Sequence, residues 1–529
     1  MPRGLSAACA LICALLLLAP GTAHAETPSL KRVQIKAPDG VTIDGAVVMP
    51  ARPTPGRKYP AIAFAAAWNG GWEQNTIPAL RLASKGYVVH LYTMRGMAKF
   101  LDGEVNMAGP NDRMDMSAVI DWLIANRPVD PDRIGAAGIS YGAGLALIAS
   151  AFDPRIRSVA SLSGWTDLNR ALWPNETRNA WAGGILYKSA VDASRVGPEF
   201  LDIFHRFFRQ VRVEENLAFG AGRSAQTYID EINENKPAIL MSQQWNEMIF
   251  PPDQILDFYK DLQGPKRLLL QPGDHVSQES PGLLGLTNRQ LNETYAWFDR
   301  TLKNAPDPAA LAGSITLQPR TPWGDRTLET YPEWSAVSTG SKRWYLGGGT
   351  GYRTLAETPQ TGWNVEYRPA LSTDDGPGGP LVGHLGEALT GKPLNARLAS
   401  LDRRTRAMWM TAPFTERLKV RGAPRVRFTV TPQSAKGTVI ATLFSVSPRN
   451  VVFNMTHTPL TWRDKQVGEP LTYELPLRPT AYDIPPGHKL LLSIAGQDLN
   501  YILDKNPPGA KIALSSPESA PSFLELPTR

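Results

Sequence analysis

An α/β domain built on a mostly parallel sheet and followed by an all-β sandwich is the fold the sequence predicts, and three observations predict it. Residues 30–303 alternate short apolar runs with helical segments, the pattern of strands joined by crossover helices. Residues 165–235 interrupt that alternation with helical spacing rich in aromatics (Trp165, Trp173, Trp181, Tyr187, Phe204, Phe207, Phe208, Phe219), which reads as a helical insertion over the sheet. Beyond the proline-bearing stretch 306–319, short alternating strands are separated by Gly and Pro turns.

The elements follow in order. Residues 33–36 and 41–49 flank Pro38-Asp39-Gly40, a hairpin signal. Residues 61–66 form a buried-strand run that leads into Trp68-Asn69-Gly70-Gly71, and residues 87–92 form the next, closed by Arg95-Gly96. Residues 114–125 carry helical spacing in Met114, Ala118, Ile120, Trp122 and Leu123. A further strand is expected over 156–162, and two late ones over 238–241 and 267–270. A helix over 253–262 separates the late strands, and another over 286–302 closes the domain. In the second half the clearest strands are 343–346, 425–430, 438–446 and 489–495, with no fixed-period repeat.

The first 25 residues read as a secretory signal: Arg3 is the basic start, residues 7–19 the apolar core, and Ala23-His24-Ala25 a small-x-small cleavage site. The run is short and is broken by Pro20 and Gly21, which argues against a membrane anchor. Both cysteines, Cys9 and Cys13, lie inside it, so the mature chain is expected to hold neither disulfides nor thiolate metal sites. The net charge of +7 falls to +6 without Arg3, and its densest basic cluster, Arg403-Arg404-Thr405-Arg406, is isolated. This diffuse excess excludes a nucleic-acid surface as the reading. The expected division is a signal over 1–25, an α/β domain over 26–305 and a sandwich over 306–529, in a periplasmic or secreted protein.

Chemistry enters at Gly138-Ile139-Ser140-Tyr141-Gly142. An apolar run enters this Gly-x-Ser-x-Gly pentapeptide and a small-residue segment, 145–152, leaves it. That is the layout of a nucleophile elbow, a tight strand-to-helix turn that lifts a serine hydroxyl clear of the sheet. It predicts an α/β-hydrolase fold, with residues 165–235 as a helical cap insertion and the all-β sandwich C-terminal to it. In that fold the base and acid follow the serine in chain order. His275, directly after the strand 267–270, is the candidate base, whereas His90 lies inside a predicted strand and reads as a hydrogen-bonded core histidine. His205 falls in the cap, and His384, His457 and His488 fall in the sandwich. The acid should leave the penultimate strand, where Glu247 stands 28 residues before His275. Asp167, after the strand 156–162, is the rival, and Asp253 and Asp274 read as helix or turn caps. The Tyr141 and Trp68 backbone N–H groups are the candidate oxyanion donors.

These pieces resemble the X-prolyl dipeptidyl-peptidase and cocaine-esterase family of α/β hydrolases. Residues 115–122, Asp-Met-Ser-Ala-Val-Ile-Asp-Trp, are similar to that family's Asp-x-x-x-Val-Ile-Asp-Trp helix, and Ser140-Tyr141 matches its Gly-x-Ser-Tyr elbow. Pro424-Arg425-Val426-Arg427-Phe428 and residues 477–488, beginning Leu477-Arg478-Pro479-Thr480, look like strands of its jelly-roll domain. The family often supplies an oxyanion-hole tyrosine from the loop after the third strand, but here that loop reads Ala65-Ala66-Ala67-Trp68-Asn69. Its acid is usually aspartate, and its Asp-x-Arg-Gly is here Thr93-Met94-Arg95-Gly96.

The function expected is an exported serine hydrolase acting on an ester or amide of a small molecule or peptide, with no metal, cofactor or nucleic acid implied. A dipeptidyl aminopeptidase is the alternative within the class; it needs carboxylates for a substrate ammonium, and Glu214-Glu215 in the cap is the available pair. Acyl transfer to another acceptor uses the same residues. From another class, the chain could be a carbohydrate- or ligand-binding protein on a degenerate core.

Overall fold

The computed structural model describes residues 27–305, 314–370 and 386–529. The predicted signal and His384 lie outside the described residues. No helix among the described residues is long and apolar enough to cross a membrane.

The first sheet has ten strands: β1 (Ser29–Lys36), β2 (Thr42–Met49), β3 (Tyr59–Ala65), β4 (Val88–Tyr92), β5 (Val129–Ile139), β6 (Ile156–Leu162), β7 (Ala238–Gln244), β8 (Lys266–Gln271), β9 (Ile315–Leu317) and β10 (Glu329–Tyr331). They lie in the order β1-β2-β4-β3-β5-β6-β7-β8-β9-β10. The first two form the expected antiparallel hairpin, and β4, β3, β5, β6, β7, β8 and β9 run parallel to one another. Every residue of β3, β4 and β7 is buried, as a sheet covered on both faces requires. Two strands, β9 and β10, fall beyond the expected division at residue 305 and still extend this sheet, because β9 pairs with β8 and β10 with β9.

Five helices occupy the insertion: Leu168–Leu172, Ala180–Ala193, Pro198–Arg209, Val213–Ala221 and Ile229–Asn235. In Pro198–Arg209 the buried residues Phe200, Ile203, Phe204 and Phe207 recur at helical spacing and form one apolar face.

The remaining strands form a sandwich. Val426, Phe428 and Val430 of the strand Arg425–Thr431 alternate inward with period two, as do Leu490, Leu492 and Ile494 of Lys489–Ala495, and both sets share one core. Insertion and sandwich are joined at Asp504. Its buried carboxylate takes Arg178 from the insertion at 2.7 Å and Arg463 of the sandwich at 2.8 Å. Thr177 and Thr461 add a buried hydroxyl contact at 2.9 Å.

Candidate active site

The end of β5 meets the helix Tyr141–Phe152 at Ser140, whose φ of 58° and ψ of −115° place a non-glycine residue in a sparsely populated backbone region. The turn closes only because small residues surround it. A Cβ on Gly138 would lie 2.0 Å from the Gly142 carbonyl carbon, and one on Gly142 would lie 2.5 Å from the Ala65 oxygen. The Ser140 N–H donates to the Leu162 oxygen at 2.8 Å, which pins the turn to the neighbouring strand.

Two loops, after β7 and after β8, bring the remaining groups to it. Ser140 Oγ lies 2.8 Å from His275 Nε2, and His275 Nδ1 lies 3.0 Å from each carboxylate oxygen of Glu247. Glu247 is fully buried, and its Oε1 also accepts the Ile249 and Phe250 N–H groups at 3.0 and 3.2 Å. Asp274 Oδ1 accepts the Met248 and His275 backbone N–H groups at 2.8 and 2.7 Å and ties the two loops together. Buried Arg320, just after β9, donates to Asn246 Oδ1 at 2.8 Å and to Thr480 Oγ1 of the sandwich at 2.8 Å, so the residue before Glu247 is tied to the sandwich.

The rival carboxylate is elsewhere. Asp167 caps the helix Leu168–Leu172 by accepting the Arg170 N–H at 3.0 Å. Asp253 pairs with Arg170 at 3.1 Å. His90 is in the core, as expected, but its two ring nitrogens have no hydrogen-bond partner, and burial pushes its pKa down to about 3. His205 is exposed, while His457 and His488 bond Tyr501 and Ser445 within the sandwich.

Burial opposes protonation of His275, but the Glu247 carboxylate beside it, followed by Asp274 and Glu279, holds its pKa above the ordinary imidazole value. Glu279 had no place in the sequence reading. It is fully buried one turn after His275, and both its oxygens lie 3.1–3.2 Å from Gln244 Nε2. Gln244 Oε1 in turn accepts the Ser163 hydroxyl at 3.0 Å, so this chain crosses the ends of β6 and β7 and reaches the loop after β8. Burial raises the Glu279 carboxyl to about 7. A glutamate in a turn ahead of a helix is common at the sequence level, and only the fold turns this one inward.

Beside the serine, the segment after β3 packs on the elbow: the Trp68 ring lies 5.2 Å from that of Tyr141, and its Nε1–H donates to Ser189 at 3.2 Å. The Tyr141 hydroxyl donates to buried Asp112 at 2.6 Å. The loop after β3, Ala66-Ala67-Trp68-Asn69, carries no side-chain hydroxyl of its own.

A cavity of about 100 Å³ opens under the insertion next to these residues. Trp68, Trp165, Trp173, Phe204, Phe207 and Phe250 are among its lining residues, Asn169 and Asn216 bring amide groups to it, and no charged residue lines it. Phe250 joins it to the reactive groups, its ring 5.5 Å from that of His275. Glu214 and Glu215 are exposed and apart from it, with Glu215 paired to Arg206 at 3.1 Å and Arg212 at 3.3 Å. Among the described residues no group of three or more His, Cys, Asp or Glu is placed to hold a metal ion.

A family model of X-Pro dipeptidyl-peptidase (S15 family) matches residues 39–277, and one of the X-Pro dipeptidyl-peptidase C-terminal non-catalytic domain matches residues 312–524. Among solved structures, an α-amino acid ester hydrolase is similar with a TM-score of 0.72 and 16% identity, over 97% of this chain and 98% of that one. A CocE/NonD family hydrolase from Staphylococcus aureus is similar with a TM-score of 0.70 and 14% identity, over 95% and 94%. An aminopeptidase from a marine sediment Thaumarchaeota archaeon has a TM-score of 0.68 at 14% identity, over 96% and 98%. At such identities the likeness is one of fold. The Escherichia coli (strain K12) protein YcjY, described as uncharacterized, is 30% identical over 143 residues, which are 26% of this chain and 47% of that protein, so the match spans about half of that relative's length.

Proposed function

The chain belongs to the X-Pro dipeptidyl-peptidase and cocaine-esterase-like family of α/β hydrolases, and from that premise we propose that it is a serine hydrolase that cleaves an ester of an apolar, uncharged acyl group through an acyl-enzyme. The observation that carries the reading is the hydrogen-bonded line Glu247–His275–Ser140 beside an aromatic cavity.

In this mechanism Ser140 Oγ attacks the carbonyl carbon as His275 Nε2 takes its proton. Glu247 accepts the Nδ1–H, fixing the tautomer and stabilising the imidazolium. The Tyr141 and Trp68 backbone N–H groups receive the oxyanion. Collapse of the tetrahedral intermediate breaks the ester bond, and His275 returns the proton to the departing oxygen. A water then repeats the sequence on the acyl-enzyme and releases the acid.

The lining of the cavity supports an ester with an aryl or aliphatic acyl group over the dipeptidyl aminopeptidase alternative. A substrate ammonium needs a buried anion, and a cavity of indole, phenyl and aliphatic groups offers none. The signal-like residues 1–25 support export to the periplasm or medium.

A panel of p-nitrophenyl esters and Ala-Pro anilides, run beside a fluorophosphonate probe, tests the reading. Ester turnover with probe labelling is expected, and anilide turnover should stay at background. Anilide cleavage would install the peptidase instead, and an unlabelled, inactive protein would leave the ligand-binding reading.

The buried carboxylate on the far side of the base makes a separate expectation. His275 works as neutral imidazole, so kcat/KM falls as pH drops through its pKa. The Glu279 carboxylate is the last of the groups that raise that pKa, so Glu279→Gln should move the acidic limb to lower pH. A pH–rate profile reads the shift, and an unmoved limb with lowered stability would reduce Glu279 to a purely structural role.

A further inference from the structure

Where the insertion, the helix Pro252–Asp261 and the sandwich meet, there is a second cavity, of about 370 Å³. Asn169 and Trp173 line both cavities, so the two share a wall. Their chemistry differs. The second cavity is lined by the charged residues Arg170, Asp253, Asp257, Lys260 and Arg478 together with Trp173 and Trp334.

Four of those five charges are matched among themselves: Arg170 pairs with Asp253 at 3.1 Å and with Asp257, and Lys260 pairs with Asp257 at 2.9 Å. Arg478 is the remainder. It is 6% exposed, donates to the Tyr501 hydroxyl at 3.0 Å, and otherwise lies 3.9 Å from the Met248 sulfur. No carboxylate among the described residues reaches it within ion-pair distance, and Asp253, committed to Arg170, acts on it only through space.

A guanidinium buried to this degree is costly to keep without a counter-charge, and neither a phenol nor a thioether supplies one. Its planar fork suits a carboxylate, and the adjoining indoles and prolines suit an apolar body attached to it. The volume lies in the range of small-molecule sites, which runs from about 300 to 1,000 Å³.

We propose that this junction cavity is a second ligand site, and that it takes an organic carboxylate with an apolar or aromatic body, anchored by Arg478. The acid released by ester hydrolysis belongs to this class and forms on the other side of the shared wall. Only that last link rests on the proposed hydrolase activity.

Phenylacetate and its neutral amide, phenylacetamide, are the probes, measured by calorimetry on the full chain. Phenylacetate should bind the wild-type protein about tenfold or more tighter than it binds Arg478→Met, and Arg478→Lys should lie between them. Phenylacetamide, which only the apolar cavity favours, should not distinguish the three. Phenylacetate affinities within twofold of one another across the three proteins overturn the site. Where Arg478→Met fails to fold, Trp334→Ala serves in its place, with a loss of threefold or more expected for phenylacetate and phenylacetamide alike while phenylacetate stays the tighter ligand; equal phenylacetate affinities of the wild type and Trp334→Ala overturn the proposal in the same way.

Ester turnover is read on the same samples. A protein that hydrolyses esters yet shows no Arg478-dependent binding overturns this site alone. One that binds phenylacetate through Arg478 but turns nothing over removes the hydrolase reading and leaves the site standing.

Discussion

Ser140→Ala is expected to abolish fluorophosphonate labelling and to lower kcat/KM for p-nitrophenyl esters by about 10⁴–10⁶-fold, leaving what binding and oxyanion donors supply. The reason is geometric. Ser140 sits on the strained φ of 58° with its hydroxyl 2.8 Å from His275 Nε2, so removing the Oγ removes the attacking atom and leaves the surroundings intact. Alanine has the same backbone limits as serine, and its melting temperature should stay close to the wild type. A labelled Ser140→Ala protein would place the nucleophile elsewhere and sink the mechanism as a whole.

The second large effect separates the two acids. Glu247→Gln should lower kcat by about 10³–10⁴-fold. The Gln amide would donate to Nδ1 and hold the ring as the tautomer with its proton on Nε2, which cannot accept the serine proton. Oε1 could still accept from Ile249 and Phe250, so the loop should persist and the loss should fall on chemistry. Asp167→Asn, by contrast, should change kcat less than about threefold, because asparagine also caps a helix and the Asp167 carboxylate faces the Arg170 N–H. Comparable losses in the two variants, or a loss confined to Asp167→Asn, would overturn the assignment of Glu247.

Much of this site is written locally in the chain. The elbow shows itself because glycines are forced at 138 and 142 by contacts of 2.0 and 2.5 Å, and forced glycines leave a mark that a pattern can find. His275 follows from chain order and a loop position after a strand. Glu247 and Asp167 could be narrowed to a pair but not ranked beyond their spacing, since each follows a strand end. What settles their surroundings is the loop-to-loop bonding through Asp274 and Arg320, which is long-range and invisible to spacing.

Other features were unreadable for definite physical reasons. Phe204 and Phe207 declare an amphipathic helix, yet the same period serves a face packed on a core and a face bordering a cavity. Arg478 lies in a recognisable jelly-roll stretch, where an arginine normally reads as surface; its burial depends on Met248 and Tyr501, 230 and 23 residues away. The strands β9 and β10 have three residues each, too short for an alternation to register.

Those two short strands bear on the chain's modularity. The sandwich cannot be regarded as a passenger appended to a finished sheet, because the polypeptide leaving the last helix first returns to lay β9 along β8 and then folds β10 back on it. A chain ended at residue 305 would strip β8, buried at five of its six positions, of that neighbour and leave a bare apolar strand edge, the feature through which proteins stick to one another. The seam between the two modules therefore lies after Tyr331, and any recombination that trades one sandwich for another keeps its sheet closed only by cutting there.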